Sequence, residues 1–223
     1  MRKILLVIAV SCLCHIAVSA QSKSKEQIQV TIDLNAIEKD KVPVTVLAPK
    51  IKTSEIVYHI PKIIPGTYSE DDYGRFIDDF KAYNKKGVYL DVTKIDDNSW
   101  KISDATQLAS IAYKVNDTYD IESTHSIFSP AGSNIEANKN ILINTHCFVG
   151  FFDGFKDVTY SINIPHPETL WGATSMTDKD ASKTNDVFTT TRYATLVENP
   201  IMYGKPDYTT FMINDMEILI AVY

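Results

Sequence analysis

The chemistry-bearing residues of this 223-residue chain are few and scattered. Beyond residue 20 the histidines are His59, His125, His146 and His166, and no two of them stand four apart. Two histidines at that spacing on one helical face, with a glutamate following the first, is how zinc hydrolases bind their metal and activate water. The chain contains no such His-Glu-x-x-His stretch. His146 and Cys147 are adjacent in a run, 141–147, whose alternation predicts a strand. Neighbours on a strand point to opposite faces, so the pair is not expected to share a metal, and Cys147 reads as a small buried hydrophobe rather than a nucleophile. There is no Gly-x-Ser-x-Gly elbow and no Gly-rich phosphate loop. Carboxylates cluster at Glu70-Asp71-Asp72, Asp78-Asp79 and Asp96-Asp97, none at the spacing of a calcium-binding EF-hand, and solvated turns account for them. The sequence therefore predicts no catalytic residue, no metal ligand and no cofactor within this chain.

The elements that hold these residues are strands. Residues 27–34 place Ile28, Val30, Ile32 and Leu34 in alternation with polar residues, the period of a half-buried strand. Residues 42–46 repeat the pattern, with Pro43 implying a sheet edge or a strand start because proline cannot donate to a ladder. Further period-two runs fall at 55–60, 88–92, 110–115, 141–147, 158–164, 188–191, 209–213 and 217–222. Turn residues separate them, among them Pro65-Gly66, Gly87, Asp153-Gly154 and Pro165-His166-Pro167. Helical periodicity is confined to one or two turns at 136–140 and 192–197. The fold class expected is all-β, mostly antiparallel and sandwich-like, with at most one or two short helices.

Residues 1–20 read as a secretory signal: Arg2 and Lys3, an apolar stretch over 4–18, then small residues before Gln21. The stretch is shorter than the roughly 20 residues that cross a bilayer, so no membrane span is expected after cleavage. A lipid anchor on Cys12 is the lesser alternative, since the apolar run before it is very short. Cleavage takes away Arg2 and Lys3 and moves the formal charge from −6 to −8. It also removes Cys12 and Cys14, leaving Cys147 alone and no intramolecular disulfide. The expectation is a secreted or periplasmic chain whose residues 21–223 form one β-rich domain stabilised by its core. The acidic balance and the lack of a Lys/Arg cluster exclude nucleic acid as a partner.

Residues 58–100 organise the rest. An extended apolar run reaches Ile63-Ile64-Pro65-Gly66, where the chain must reverse. Tyr68, Tyr73 and Arg75 follow, interspersed with Glu70-Asp71-Asp72, on what the sequence marks as an exposed connection. This pattern of Pro-x-x-x-Pro-Gly-Thr-Tyr, an aromatic-rich connection, a Gly turn and Lys94-Ile95-Asp96-Asp97-Asn98-Ser99-Trp100 resembles the N-terminal domain of the glycyl aminopeptidase-like zinc metallopeptidases, metallopeptidase family sixty-one. Leu196-Val197-Glu198-Asn199-Pro200-Ile201-Met202-Tyr203-Gly204 is similar to the close of that domain. The resemblance implies a non-catalytic domain that braces a peptidase domain, supplied in cis or encoded separately, and shapes the cleft into which a peptide substrate enters. It places zinc only in that other domain. Tyr68, Tyr73 and Arg75 are then expected to form a docking or ligand-contact surface. If the catalytic domain is missing from around Tyr223 onward, an exposed apolar patch should mark where it packs. The rival reading is a stand-alone extracellular module that binds peptide or glycan on a concave strip of exposed Tyr and Trp.

Overall fold

The computed structural model describes residues 27–120 and 125–223. The signal expected over 1–20 lies outside the described residues. In chain order the first strands are β1 (Gln27–Ile32), β2 (Lys41–Leu47), β3 (Glu55–His59), β4 (Ile77–Asn84), β5 (Tyr89–Leu90), β6 (Val92–Asp96), β7 (Ser99–Ser103) and β8 (Leu108–Asn116). After them come β9 (Asn134–Glu136), β10 (Asn140–Ile143), β11 (Phe151–Phe152), β12 (Thr159–Pro165), β13 (Trp171–Ala173), β14 (Asn185–Thr190) and β15 (Ile201–Gly204). A hairpin of β16 (Asp207–Ile213) and β17 (Met216–Val222) follows. Two short helices interrupt the strands, α1 (Thr145–Phe148) and α2 (Tyr193–Val197). The class is all-β and sandwich-like, as the alternation predicts.

The main sheet has the order β14-β12-β1-β2-β8-β4-β5. Its register sets one apolar row across six strands: Phe188 opposite Ile162, Ile162 opposite Val30, Val30 opposite Val46, Val46 opposite Ile111, and Ile111 opposite Ala82. All six are buried, because residues directly opposite share a face and the alternation points that face inward. Each large apolar side chain so buried stabilises by about 1.5–3 kcal/mol. Two further sheets, β11-β3-β7-β6 and β13-β15-β10-β9, contribute Tyr58, Trp100, Ile102, Ile141, Ile143 and Tyr203 to the same core cluster. The pairing is antiparallel except between β1 and β12, which run parallel.

Some elements differ from the sequence reading. Residues 136–140 are not helical but turn β9 into β10, with Asn138 at φ 62°, a conformation asparagine tolerates. The strand predicted over 141–147 ends at Ile143, and Thr145–Phe148 make one helical turn. All four residues of that turn are buried, so no polar-apolar alternation remained to distinguish it from a strand. β2 lies between β1 and β8, so Pro43 marks a strand start rather than an edge. Its carbonyl accepts from Asp33 N–H at the point where the β1 ladder ends, so no ladder donor is missed there.

Candidate docking surface

The loop after Pro65-Gly66 is built around a buried carboxylate. Asp71 is fully buried, accepts the Ser69 hydroxyl at 2.8 Å and the Tyr73 hydroxyl at 2.8 Å, and its backbone N–H donates to the Lys62 carbonyl at 3.0 Å. Thr67 closes the turn by donating its hydroxyl to the Ile64 carbonyl at 2.8 Å. Below, Asn98 donates to Asp72 at 2.8 Å and accepts the Gly74 N–H at 3.0 Å, pinning the 3-10 turn Tyr73–Phe76 to the β6–β7 hairpin.

These bonds sort the three residues expected to form a surface. Tyr68 is 97% exposed and sits at φ 58°, a left-handed conformation costly for a residue with a Cβ. Tyr73 is wholly buried, its ring 4.5 Å from that of His146, so it forms no contact surface and that expectation is corrected. Spacing along the chain could not reveal that the Tyr73 hydroxyl is needed by Asp71. Arg75 is half-buried: Nη2 donates to the His125 carbonyl at 2.7 Å and the guanidinium lies 4.7 Å from the centre of the Phe76 ring. Arg75 therefore ties one loop to another instead of projecting as an anchor, and only Tyr68 of the three stands free of the body.

The remaining chemistry-bearing side chains serve the fold. His146 donates from Nε2 to the Ala131 carbonyl at 3.0 Å, and burial lowers its pKa to about 4. Cys147 shares that carbonyl as an acceptor, and burial pushes its thiol up to about 12, so it is not a thiolate at neutral pH. His59 bridges Ser99 Oγ at 3.0 Å and Asp153 Oδ1 at 2.9 Å. The order hydroxyl, imidazole, carboxylate is that of a nucleophile and its base, but Ser99 is buried and the three residues lie across β7, β3 and the turn after β11, which they fasten together. Among the described residues no three His, Cys, Asp or Glu converge on a point that would hold a metal.

The large free surface lies elsewhere, on the β16–β17 hairpin, which pairs only with itself. Its register separates two faces. Phe211 opposite Ile218, Ile213 opposite Met216, Thr209 opposite Ile220 and Asp207 opposite Val222 form one; Tyr208 opposite Ala221, Thr210 opposite Leu219 and Met212 opposite Glu217 form the other. The second face looks across a groove to Trp171, Ala173 and Met202 of the β13-β15 sheet. The first looks away, with Phe211, Ile213, Met216, Ile220 and Val222 each 45–61% exposed. The continuous apolar run from Ile218 to Val222 was the signal for this surface, since a strand apolar on both sides expects cover on both.

An all-β, sandwich-like domain that carries an uncovered apolar hairpin is thus the class that fold and surface define. Residues 29–205 match the family model described as the Peptidase M61 N-terminal domain, and the chain belongs to that family. No curated protein matches it. Among solved structures it is similar to an aminopeptidase N family protein from Idiomarina loihiensis, with 18% identity and a TM-score of 0.75 over 87% of this chain and 32% of that one. An M1 zinc metallopeptidase from Deinococcus radiodurans, solved with a Tyr-Ser-Ala substrate, aligns at 10% identity and a TM-score of 0.42 over 87% of this chain and 46% of that one. The chain spans about a third to a half of the length of these structures. No helix among the described residues is long and apolar enough to cross a membrane.

Proposed function

We propose that this chain is the non-catalytic part of an exported, glycyl aminopeptidase-like metallopeptidase, in which it braces the catalytic domain and shapes the entrance to the cleft for peptide substrates. The outward face of the hairpin is the observation that carries this reading. Five large apolar side chains on one flat face, Phe211, Ile213, Met216, Ile220 and Val222, have no cover among the described residues. An isolated two-stranded hairpin is marginal in water, and apolar patches of this kind mark interfaces. Covering five half-exposed side chains of this size gains roughly 5 kcal/mol before association costs are subtracted. The hairpin also begins two residues beyond the family match, which is where a following unit would take over. Zinc and its ligands would belong to that unit; among the described residues no three His, Cys, Asp or Glu converge. Tyr68, held outward in a strained conformation by a buried network, is proposed as a second contact of the domain with its partner or with peptide. Export would follow from the leader over 1–20, so the mature protein should begin at Gln21.

The test is to read the coding sequence beyond the Tyr223 codon and to express the longer product. A His-Glu-x-x-His stretch in frame, or in an adjacent gene whose product binds this chain, with aminopeptidase activity that falls at least tenfold in a Phe211→Ser, Ile220→Ser double variant, supports the reading. A stop codon with no such partner nearby, or activity indifferent to both substitutions, overturns it.

A further inference from the structure

We propose that the groove between the hairpin and the β13-β15 sheet is a binding site for a short extended peptide that carries a positive charge beside an apolar side chain. The site is built by register. Tyr208, Leu219 and Glu217 share the hairpin face that looks inward, and Trp171 and Met202 share the sheet face opposite. The space between is about 800 Å³ and continues past Trp171 and Leu219 into a second recess of about 500 Å³. Sites for small ligands fall in this size range.

Each wall points to the same ligand chemistry. The Trp171 and Tyr208 rings lie 5.0 Å apart, yet remain 40% and 65% exposed, which is more aromatic surface than a packed pair leaves in water. Met202 and Met176 line the floor and adjust to side chains of different shape. β13 ends its sheet, paired on one side with β15, so the Trp171–Ala173 backbone bordering the groove offers a free ladder edge to an extended chain. The charge is one-sided. Glu217 in the groove, with Glu168, Asp178 and Asp186 in the recess, face a single lysine, Lys183, and the neighbouring His166. Asp186 already accepts from Tyr203 and contacts His166, and Asp178 accepts two backbone N–H groups, from Asp180 and Val187. Glu168 and Glu217 have no hydrogen bond or ion pair among the described residues, and they are the carboxylates left for a cation. An acidic peptide would meet them with like charge, so the charge pattern selects against it.

This inference does not depend on the docking of a peptidase domain, because the groove is on the opposite face of the hairpin from Phe211 and Ile220. The experiment titrates the intact chain with four tetrapeptide amides and follows tryptophan emission. Trp100 is buried, so the change reports Trp171, and a Trp171→Phe variant supplies the blank. The probes are acetyl-Leu-Lys-Phe-Leu, acetyl-Leu-Glu-Phe-Leu, acetyl-Leu-Ser-Phe-Leu and the last with a free N-terminus. Saturable binding of the Lys peptide, at least tenfold tighter than the Glu peptide, is expected. That preference should shrink below threefold in a Glu168→Gln, Glu217→Gln variant, and binding should weaken at least tenfold in Tyr208→Ala, while Phe211→Ser leaves it unchanged. Tight binding of the free-amine Ser peptide would identify the cation as a peptide N-terminus; its absence beside tight Lys binding would identify a side chain. Equal affinity for Lys and Glu peptides, no response from any cationic peptide, or binding indifferent to Tyr208→Ala overturns the site. So does binding that vanishes when a peptidase domain is attached, which would assign the groove to that domain.

Discussion

At the scale of single residues, His146 makes the domain sensitive to acid. In the unfolded chain an imidazole titrates near 6.5, whereas burial holds the folded group at about 4. Between these values the unfolded state takes up a proton that the folded state refuses, so this residue costs stability as pH falls from 6.5 toward 4 and costs nothing above that window. At pH 5 the loss is about 2 kcal/mol, from 1.36 kcal/mol per pKa unit. The geometry gives the cause: Nδ1 is buried without a partner among the described residues, and protonating it would add a donor with nothing to meet. Urea unfolding at pH 7.5 and 5.0 should show that His146→Gln flattens the pH dependence by about this amount; an unchanged slope would refute the assignment. The sequence could not have foretold it. His146 reads as a strand residue beside Cys147, and only the folding of both into α1 turns the imidazole toward the Ala131 carbonyl. Tyr58, Tyr113 and Trp100 are buried, and the Gly150 N–H, Tyr58 hydroxyl, Tyr113 hydroxyl and Phe148 carbonyl form one continuous chain of hydrogen bonds inside the core.

At the scale of elements, strands whose inward and outward residues alternate were readable, and those without that contrast were not. β1, β2 and β12 bury every second side chain, as β8 does from Ser110 onward, and all four stand where the period placed them. α1 is buried throughout, and β13 has three residues, too few to display a period. The short β11 depends on a contact rather than a pattern. Gly150, just before it, lets the chain pass so close to β3 that an added Cβ would stand 2.8 Å from the His59 carbonyl carbon and 2.9 Å from Tyr58 Cε1. Backbone cannot yield there as a surface side chain would, and the displaced segment carries the N–H that Tyr58 accepts. Gly150→Ala should therefore cost at least about 3 kcal/mol through overpacking together with a lost buried hydrogen bond, read as a drop of roughly 10 °C or more in the melting temperature. Gly66 is the control. It has φ 97° but open space around it, so Gly66→Ala strains the backbone alone and should cost nearer 1 kcal/mol. Equal effects of the two would mean that the close approach at Gly150 is not what holds β11 in place.

At the scale of the whole molecule, the chain divides into a body that satisfies itself and a hairpin that does not. The core cluster draws on all three larger sheets and includes no residue of β16 or β17. The ladder of the hairpin is closed between its own two strands, so removing it breaks no pairing of the body. The body loses the cover over Trp171 and the neighbouring groove wall, and the Tyr223 ring lying against Gly204. A chain ending at residue 205 should therefore unfold cooperatively with a melting temperature within a few degrees of the full chain, as measured by calorimetry. It should also associate less at high concentration, since the flat edge and apolar face that invite pairing are gone. Collapse of the truncated chain would show instead that the hairpin is part of the fold, and its exposed residues would then need no partner to explain them. Independence of the body has a consequence for function. Under the proposed bracing role, the energy that would bury Phe211, Ile213, Met216, Ile220 and Val222 would go toward holding a second domain at a fixed angle to the first.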